Sequence, residues 1–315
     1  MRIVRSLNEV ARDDNSVVTV GSFDGVHLAH QEIVREVVNR ARMREGRSVV
    51  VTFDPHPKEV VGSPNASVRL LSTIEERRSL LGRLHIDVLY IINFTYEFSR
   101  LSSREFYERY IVRGVGASEV VVGYDHMFGR DREAGIEELV RMGQEFNFSV
   151  FAVHPFKIDG ETVSSSVIRR ALTAGDIERA QRMLGYPYAI DGVIITGDGR
   201  GKTIGYPTAN IRPSSEKKIV PGNGVYLVAV QVLGRELFGM MNIGTRPTVT
   251  TNGGQTLEVH IFDLTEDLYG EAIAVRLLKR LRDEKKFASV SELIDQLGRD
   301  KENSMRYIAE VVKRQ

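Results

Sequence analysis

The chain reads GSFDGVHLAH from Gly21 to His30, between a β-branched run at residues 17–20 and a stretch with helical spacing. In that stretch apolar residues recur three and four positions apart, as in an amphipathic helix, at Ile33, Val34, Val37, Val38 and Ala41. A strand that passes through a glycine-containing loop into a helix directs backbone N–H groups at the loop, where they can bind phosphate. The junction therefore predicts a nucleotide site. The residues expected to bind the nucleotide here are Gly21, Phe23, Asp24 and Gly25.

Four more apolar runs divide the rest of the first half, at residues 49–53, 88–92, 120–122 and 150–153. Helical patterns lie between the runs. They include a stretch around residues 136–142 and two capping-box pairs, Ser72 with Glu75 and Ser102 with Glu105. Continuous apolar strands separated by helices predict a parallel sheet covered on both faces, as in a Rossmann-like α/β fold. Such sheets bind ligands at the carboxyl ends of their strands.

The pattern changes after Gly185, where short β-rich runs are broken by Gly and Pro. The runs lie at residues 192–196, 225–232, 237–241, 256–262 and 273–278. No helical spacing appears among them, so they predict an antiparallel sheet or a small β-barrel. Helical spacing returns at residues 289–313. We expect two domains, residues 1–185 and residues 186–315, with the boundary near residues 184–188.

The composition excludes several classes of protein. The 315 residues carry a formal net charge of +1, whereas a protein that holds a nucleic-acid backbone needs an excess of Lys and Arg. The chain has no cysteine, which excludes disulfides and thiolate metal sites. No apolar run approaches the ~20 residues of a membrane helix, and residues 1–10 show no signal-peptide pattern. We expect a cytoplasmic enzyme whose partners are small molecules, with neither nucleic acid nor a membrane among them.

Two groups of polar side chains in the first half suit a phosphate ligand. His27 and His30 lie three apart on one side of the first helical turn, where imidazolium groups can neutralise charge on a transferring phosphoryl group. Three serines at residues 164–166 open a helix with Arg169 one turn in, which can form a phosphate cradle. The alternatives are two histidines without a role and a plain N-cap beside a surface arginine.

Together these motifs resemble the HxGH and ISSxxxR motifs of the nucleotidyltransferase superfamily. Four ordered stretches, at residues 21–30, 52–57, 123–129 and 163–169, resemble the FMN adenylyltransferase domain of bacterial bifunctional riboflavin kinase/FAD synthetases. The resemblance implies that FMN and ATP react to give FAD and pyrophosphate. It implies electrostatic roles for His27, His30 and Arg169, and phosphate binding by Ser164, Ser165 and Ser166. The residues that it implies beside the flavin or the adenine are Asp54, Pro55, His56, Pro57 and Asp125.

A glycine-rich stretch in the second half, GDGRGKT at residues 197–203, partly matches a P-loop. The Walker A pattern needs Gly five positions before Gly201, where this chain has Thr196. Pro207 follows shortly afterwards and blocks the helix that a P-loop must lead into. We interpret the stretch as a flexible flap over a nucleotide. Its glycines are Gly197, Gly199, Gly201 and Gly205.

Thr208 and Asn210 follow the flap two positions apart. On an extended segment their oxygens share one face, and neutral oxygens suit a Mg²⁺ ion that also holds ATP phosphates. The alternative is a turn with a polar edge. Further along, Glu258 and His260 alternate with apolar residues, which places both side chains on one face of a strand. Without other evidence, Glu258 reads as a solvent-facing carboxylate.

Pieces spread over the second half resemble riboflavin kinase in the family's own order. They lie at residues 197–210, 224–226, 242–248, 258–262, 267–270 and 281–287. The resemblance implies a small antiparallel β-barrel with a C-terminal helix, and ATP-dependent phosphorylation of riboflavin to FMN. It implies that Glu258 is the general base for the riboflavin hydroxyl, that Thr208 and Asn210 bind Mg²⁺, and that Arg282 reaches the phosphate or the flavin.

Three alternatives remain open on the sequence alone. Ala29 stands where the family usually has Gly, which allows a kinase whose adenylyl half has decayed and which accumulates FMN. HxGH-like motifs also occur in class I aminoacyl-tRNA synthetases, although this chain lacks a KMSKS-like loop. A non-catalytic flavin-binding protein is the third alternative, but such a protein has no need of a base beside a metal site.

Overall fold

The computed structural model describes residues 1–62, 68–124, 135–197, 200–245, 255–264 and 266–312. The chain divides into two compact units, Met1–Ser165 and Ser166–Gln315. Nowhere in the described ranges is a helix both long and apolar enough to cross a bilayer.

The first unit is built on a six-stranded sheet in which every strand pairing is parallel. Its elements are β1 (Arg2–Val4), β2 (Ser16–Val20), α1 (Leu28–Met43), β3 (Arg47–Asp54), α2 (Pro57–Val61), α3 (Ile74–Gly82), β4 (Val88–Asn93), α4 (Tyr96–Ser99), α5 (Ser103–Phe106), a π-helix (Tyr107–Val115), β5 (Ala117–Gly123), α6 (Ile136–Phe146), β6 (Ser149–Val153) and a small hairpin of β7 (Lys157–Ile158) and β8 (Glu161–Thr162). The strand order is β1-β4-β3-β2-β5-β6. The order in which the chain adds strands reverses at β2, which pairs with both β3 and β5, and ligands of such sheets bind at this switch point.

Both faces of this sheet are covered, as the continuous apolar runs predict. Along β3, Val49 packs into one core cluster with Ile111 of the π-helix, whereas Val50 packs into another with Val34 of α1. Because successive strand residues point to opposite faces, a sheet buried on both faces needs apolar residues at every position. The predicted parallel α/β sheet is confirmed.

Two local predictions in this unit need correction. The edge strand β1 was not predicted, because it has only three residues and only Val4 is buried. The capping box at Ser102 and Glu105 is confirmed, but the one predicted at Ser72 and Glu75 is wrong: it is formed by Thr73 and Glu76, one residue later. The sequence STIEE satisfies the same spacing in both registers, and the Ser72 hydroxyl is engaged elsewhere.

The second unit is a closed barrel of six antiparallel strands in the order β10-β13-β12-β11-β14-β9. Its elements are α7 (Ser165–Thr173), α8 (Ile177–Leu184), β9 (Ala189–Ile195), α9 (Arg200–Thr203), β10 (Ala209–Pro213), β11 (Gly224–Val232), β12 (Arg235–Thr245), β13 (Gln255–Ile261), β14 (Ala272–Arg282) and α10 (Val290–Val312). The predicted barrel and C-terminal helix are confirmed. The strand β10 and the single turn α9 were not predicted as elements.

The C-terminal helix α10 covers one outer face of the barrel. Leu297 and Ile308 of α10 pack against a cluster that includes Leu227 and Met240 of the barrel strands. The amide of Gln181 in α8 donates a hydrogen bond to the Leu277 carbonyl of β14 over 2.8 Å, so α8 also packs on the barrel. The domain boundary near residues 184–188 stays a prediction.

Candidate active sites

The loop after β2 holds three backbone irregularities within four residues. Phe23, Gly25 and Val26 all have positive φ, at 46°, 81° and 35°. Glycine adopts this region freely, whereas a β-branched residue such as Val26 is strained there. Strain of this kind persists only where the surroundings hold the backbone in place, and it is concentrated at functional sites.

Asp24 supplies much of that hold. Its carboxylate is fully buried and accepts hydrogen bonds from the backbone N–H groups of Leu71, at 3.0 Å, and Ser72, at 2.9 Å. The Ser72 hydroxyl donates to Asp24 and accepts the N–H of Gly25 over 2.8 Å. The hydroxyl of Ser165 donates to the Asp24 carbonyl over 3.1 Å. Asp24 therefore holds the loop against the segment at Leu71 and Ser72. A direct contact between its side chain and a nucleotide stays a prediction.

His27 and His30 lie together at the start of α1. Their rings stack with centroids 3.6 Å apart, and Nδ1 of His27, the N-cap residue, accepts the backbone N–H of His30 over 3.4 Å. Burial, and then the neighbouring His27 and Arg77, lower the pKa of His30 well below its ordinary value of 6.5. A lowered pKa favours the neutral form of His30 over an imidazolium at pH 7, and the electrostatic roles of His27 and His30 stay a prediction. A neutral imidazole N–H can still donate a hydrogen bond to a phosphate oxygen.

Arg77 was not predicted as part of this site. Its side chain is 2% exposed, and Nη1 donates to the Thr52 hydroxyl and the Phe53 carbonyl, each over 3.2 Å. No sequence signal distinguishes it, because EERR at residues 75–78 reads as a charged helix surface. The sequence pattern cannot show that one arginine of the pair turns inward.

The predicted flavin segment lies at the carboxyl end of β3, next to β2 in the sheet. The Asp54–Pro55 peptide bond is cis, and Pro57 begins α2. His56 is the N-cap of α2 and is buried, with Nδ1 accepting the N–H of Lys58 over 3.2 Å. Asp54 forms an ion pair with Arg5 at 3.5 Å. Asp125 lies outside the described residues.

The serine segment opens α7, which begins at Ser165. Ser164 and Ser165 are half-buried and Ser166 is exposed. Arg169 is half-exposed on the second turn of α7 and belongs to the second unit. A phosphate cradle at this helix start stays a prediction.

In the barrel, three polar residues form a row across neighbouring strands. Glu258 of β13 is the register partner of Asn210 in β10 on one side and of Asn242 in β12 on the other. Register partners project from the same face of a sheet. Leu257 and Val259 are buried on the opposite face, which confirms the predicted alternation. Asn242 was not predicted as a site residue, because strand register is invisible in the sequence.

The flap glycines approach this row closely. A Cβ at Gly197 would lie 2.6 Å from Cγ of Asn210, and a Cβ at Gly201 would lie 3.3 Å from the Thr208 hydroxyl. Gly205 has a φ of 81° in an open turn, and Gly199 lies outside the described residues. At Gly197 the close approach is to the predicted metal ligand Asn210, whereas at Gly201 the atom closest to the Cβ position is the Tyr206 carbonyl oxygen.

Next to Thr208 lies a cavity of about 380 Å³. Its wall includes Gly197, Pro207, Leu268 and Tyr269. The carbonyl of Pro207 is 2.8 Å from Nδ1 of His260, whose pKa is lowered by burial, so a neutral ring donates this hydrogen bond. The cavity is of a size that accommodates a nucleotide or a similar small molecule.

The cross-strand row of Glu258 and Asn242 continues over β11 to Arg282 in β14, because Val225 of β11 is the register partner of both Asn242 and Arg282. Its Nε lies 2.8 Å from a carboxylate oxygen of Asp300 in α10, and the Asp300 side chain is 3% exposed. Gln296 donates to the other oxygen of Asp300 over 2.8 Å. The observed contact of Arg282 thus ties β14 to α10, and its predicted flavin contact stays a prediction.

Comparison with known proteins gives matches over both halves. The family model of FAD synthetase matches residues 9–167, and that of riboflavin kinase matches residues 184–308. The bifunctional riboflavin kinase/FMN adenylyltransferase of Listeria monocytogenes is 36% identical over 299 residues, which cover 95% of this chain and 94% of the relative. That of Escherichia coli is 35% identical over 303 residues, 95% of this chain and 96% of the relative. The crystal structure of a macrolide-efflux protein from Streptococcus pneumoniae, at 34% identity, matches with a TM-score of 0.88 over 96% of this chain and 98% of that one.

Proposed function

Since the chain belongs to the family of bifunctional riboflavin kinase/FMN adenylyltransferases and makes FMN from riboflavin and FAD from FMN, we propose which residues carry each step. Adenylyl transfer is assigned to the loop after β2 and its surroundings, and phosphoryl transfer to the polar row of the barrel. The adenylyl step is an attack on the α-phosphorus of ATP and the kinase step an attack on its γ-phosphorus, so the two sites need different residues.

In the adenylyl step an oxygen of the FMN phosphate attacks the α-phosphorus of ATP, and the bond to the leaving pyrophosphate breaks. The attacking phosphate is already anionic near neutral pH, so the step needs positioning and charge stabilisation more than a base. The start of α1 is proposed to offer backbone N–H groups to the phosphates, and His27 and His30 are proposed to add imidazole donors. Ser164, Ser165, Ser166 and Arg169 are proposed to hold the remaining phosphate charge.

In the kinase step the 5′-hydroxyl of riboflavin attacks the γ-phosphorus of ATP, and ADP leaves. This hydroxyl is neutral and a poor nucleophile, so a carboxylate that accepts its proton accelerates the transfer. We assign that role to Glu258, and the observation that carries the assignment is its cross-strand row with Asn210 and Asn242. The flap glycines and the cavity beside Thr208 are proposed to bind ATP.

The residues beside Glu258 fit a magnesium ion. Thr208 offers a hydroxyl oxygen and Asn210 an amide oxygen, and hard oxygen donors are what Mg²⁺ prefers. Two neutral ligands leave most of the coordination shell to water and to substrate phosphates, which is usual for this ion. When bound, Mg²⁺ would neutralise charge on the ATP phosphates.

The flavin contacts and the setting of the enzyme complete the proposal. We assign the flavin of the first site to residues 54–57 at the end of β3, and that of the second site to the neighbourhood of Arg282. The domains are proposed to be residues 1–185 and 186–315, and the partners to be small molecules alone. A cysteine-free chain of near-zero net charge suits a cytoplasmic enzyme without nucleic-acid partners.

A crossed assay tests both assignments in one preparation. Glu258→Gln is expected to stop conversion of riboflavin to FMN while supplied FMN is still converted to FAD. His27→Ala is expected to do the reverse, so that FMN accumulates from riboflavin and FAD does not form. Chromatography of the flavins over time, with ATP and Mg²⁺ present, separates the two results.

Matched controls use residues of the same type away from the sites. Glu236→Gln changes an exposed glutamate on β12 that pairs with Arg276, and His154→Ala changes an exposed histidine. Both controls should carry out both steps at the unmodified rate. FMN production that survives in Glu258→Gln would remove Glu258 as the base, and FAD production that survives in His27→Ala would remove the loop as the adenylyl site.

A further inference from the structure

A buried arginine lies beneath the adenylyl site without touching the surface. Arg77 extends from α3, is 2% exposed, and donates through Nη1 to the Thr52 hydroxyl and the Phe53 carbonyl of β3. Its Nε is also buried and has no hydrogen-bond partner. Burying a guanidinium is costly, so a partly unsatisfied one needs a reason.

The hydrogen bonds of Arg77 lead, through Thr52, to the loop after β2. The hydroxyl of Thr52 accepts from Arg77 and donates its own proton to the Ser22 carbonyl over 3.1 Å. Thr52 is fully buried, so no solvent competes for these bonds. Ser22 directly precedes Phe23, the first residue of the strained stretch. A single hydroxyl thus connects α3 and β3 to the loop.

We propose that Arg77 is a positioning residue for adenylyl transfer, whose guanidinium fixes the carboxyl end of β3 and, through Thr52, the backbone of the loop at Ser22. Because Arg77 is buried, it acts through these groups and does not contact the substrate. The inference rests on the assignment of adenylyl transfer to this loop.

The charge of Arg77 acts on the same site. Burial lowers the pKa of His30 most, and two basic groups, the stacked His27 and Arg77, lower it further. The Nδ1 atom of His30 is buried without a hydrogen-bond partner. Burial lowers the pKa of Arg77 itself, and the nearby carboxylates, of which Asp24 is the first, act in the opposite direction. Arg77 therefore helps to keep His30 uncharged while it holds the loop.

Three variants separate the hydrogen bonds of Arg77 from the electrostatic effect of its charge. Arg77→Met removes both the donors and the charge, Arg77→Lys keeps the charge with a different donor geometry, and Thr52→Val removes only the connecting hydroxyl. Arg83→Met, at an exposed arginine that caps the same helix, is the matched control. For each variant, kcat and KM are measured for FMN adenylylation, and riboflavin phosphorylation in the same preparation is the internal reference.

We expect Arg77→Met, Arg77→Lys and Thr52→Val each to lower kcat of FMN adenylylation at least tenfold, with KM for ATP changing less than threefold. Riboflavin phosphorylation should stay within twofold of the unmodified protein in every variant, as should both activities of Arg83→Met. The double variant Thr52→Val/Arg77→Met should be no more than twofold slower than the slower single variant, because both changes break one connection.

The pH profile adds a readout that a purely structural role would not move. Without the positive charge of Arg77, the pKa of His30 rises, so the acidic limb of kcat/KM for adenylylation should move to higher pH in Arg77→Met. The limb should stay in place in Thr52→Val and in Arg77→Lys, which retain a cation. If Arg77→Met does not fold, Arg77→Lys and Thr52→Val still decide by their kcat values.

Three results would overturn the inference: adenylylation within twofold of normal in Arg77→Lys and Thr52→Val, single effects that multiply in the double variant, or an acidic limb that does not move in Arg77→Met. Failure of the underlying assignment looks different. In that case His27→Ala would keep making FAD, whatever the Arg77 variants do.

Discussion

The imidazole rings of His27 and His30 stack with their centroids 3.6 Å apart and their planes 16° from parallel. Two stacked imidazoles repel each other when both are charged, and burial adds to the cost of a charge on His30. The pair at the start of α1 is therefore built to hold a neutral ring beneath a helix terminus that itself favours anions. If phosphates bind here as proposed, their oxygens would meet hydrogen-bond donors without first displacing a counter-ion.

The lowered pKa of His30 predicts how stability depends on pH. In the unfolded chain the histidine titrates near 6.5, whereas in the folded protein it stays neutral to lower pH. Below pH 6.5 the unfolded state binds the extra proton, so the free energy of unfolding decreases as the pH falls through this window. His30→Gln should flatten that decrease, and His154→Gln, at an exposed histidine, should leave it unchanged. Urea unfolding followed by circular dichroism at pH 7.5 and 5.5 measures both slopes, and equal slopes in all three proteins would contradict the prediction.

Gly197→Ala tests the contact between the flap and the predicted metal ligand. The new Cβ would overlap the side-chain amide of Asn210, with 2.6 Å left to its Cγ, so Asn210 must turn away from its place beside Glu258. We expect kcat/KM of riboflavin phosphorylation to fall at least tenfold, with a higher Mg²⁺ requirement, while FMN adenylylation is unchanged. Gly298→Ala is the control, because Gly298 does not have a positive φ and a Cβ there would meet only the Tyr206 hydroxyl oxygen, at 3.9 Å. Normal phosphorylation by Gly197→Ala would show that Asn210 has no role in this step.

The strands were predictable where burial forces a pattern. The apolar runs of the first unit are continuous because its sheet is covered on both faces, and in β13 the alternation of Leu257 and Val259 with Glu258 marks a one-sided strand. What the pattern does not contain is register. Asn242 joins Glu258 only through the pairing of β12 with β13, and no local signal reports that pairing.

The sequence could predict which local segments carry the candidate sites, but not the long-range hydrogen bonds that hold those segments in place. The glycines and histidines of residues 21–30 predict a phosphate site, but the groups that hold this segment in place come from elsewhere in the chain. Ser72 and Arg77 lie about fifty residues away, and each has a simpler local interpretation, as a helix cap and as a charged surface residue. Tertiary contacts at this distance override both interpretations.

Ala29→Gly tests the one departure from the family's usual motif. Ala29 is the second residue of α1, half-buried, at the helix terminus where phosphates are proposed to bind. Removing its methyl group should give the nucleotide more room, and we expect KM for ATP in FMN adenylylation to fall about threefold with riboflavin phosphorylation unchanged. The helix should lose about 0.5–1 kcal/mol of stability, as expected for Gly in place of Ala. An unchanged or higher KM would show that the methyl group does not crowd the ATP.

Asp24→Asn should loosen the loop after β2. The carboxylate accepts two backbone N–H groups and a hydroxyl, and an amide would turn a donor toward one of them. Hydrogen bonds to a charged group contribute about 1.5–3 kcal/mol each, so we expect a loss of about 3 kcal/mol in the free energy of unfolding. FAD synthesis should fall more than tenfold while FMN is still made. Denaturant unfolding and the flavin time course check the two effects, and an unaltered stability would show that the Asp24 bonds are dispensable.

The ion pair of Arg282 and Asp300 should contribute to the stability of the second unit. Its atoms approach to 2.8 Å, and with side chains 19% and 3% exposed it is largely removed from water, so loss of one charge leaves the other poorly solvated. For Asp300→Asn we expect the free energy of unfolding to fall by about 2 kcal/mol, somewhat less than for a fully buried pair because Arg282 keeps some contact with solvent. The matched control is Glu236→Gln, which breaks an exposed pair with Arg276 and should cost less than ~0.5 kcal/mol.

If Arg282 also contacts the flavin, riboflavin should bind more weakly to Asp300→Asn even where the protein is fully folded, because the arginine loses the partner that orients it. Equal stability losses in the two variants would mean that burial gives the Arg282–Asp300 pair no special weight, and unchanged riboflavin affinity would confine Arg282 to holding α10 against the barrel.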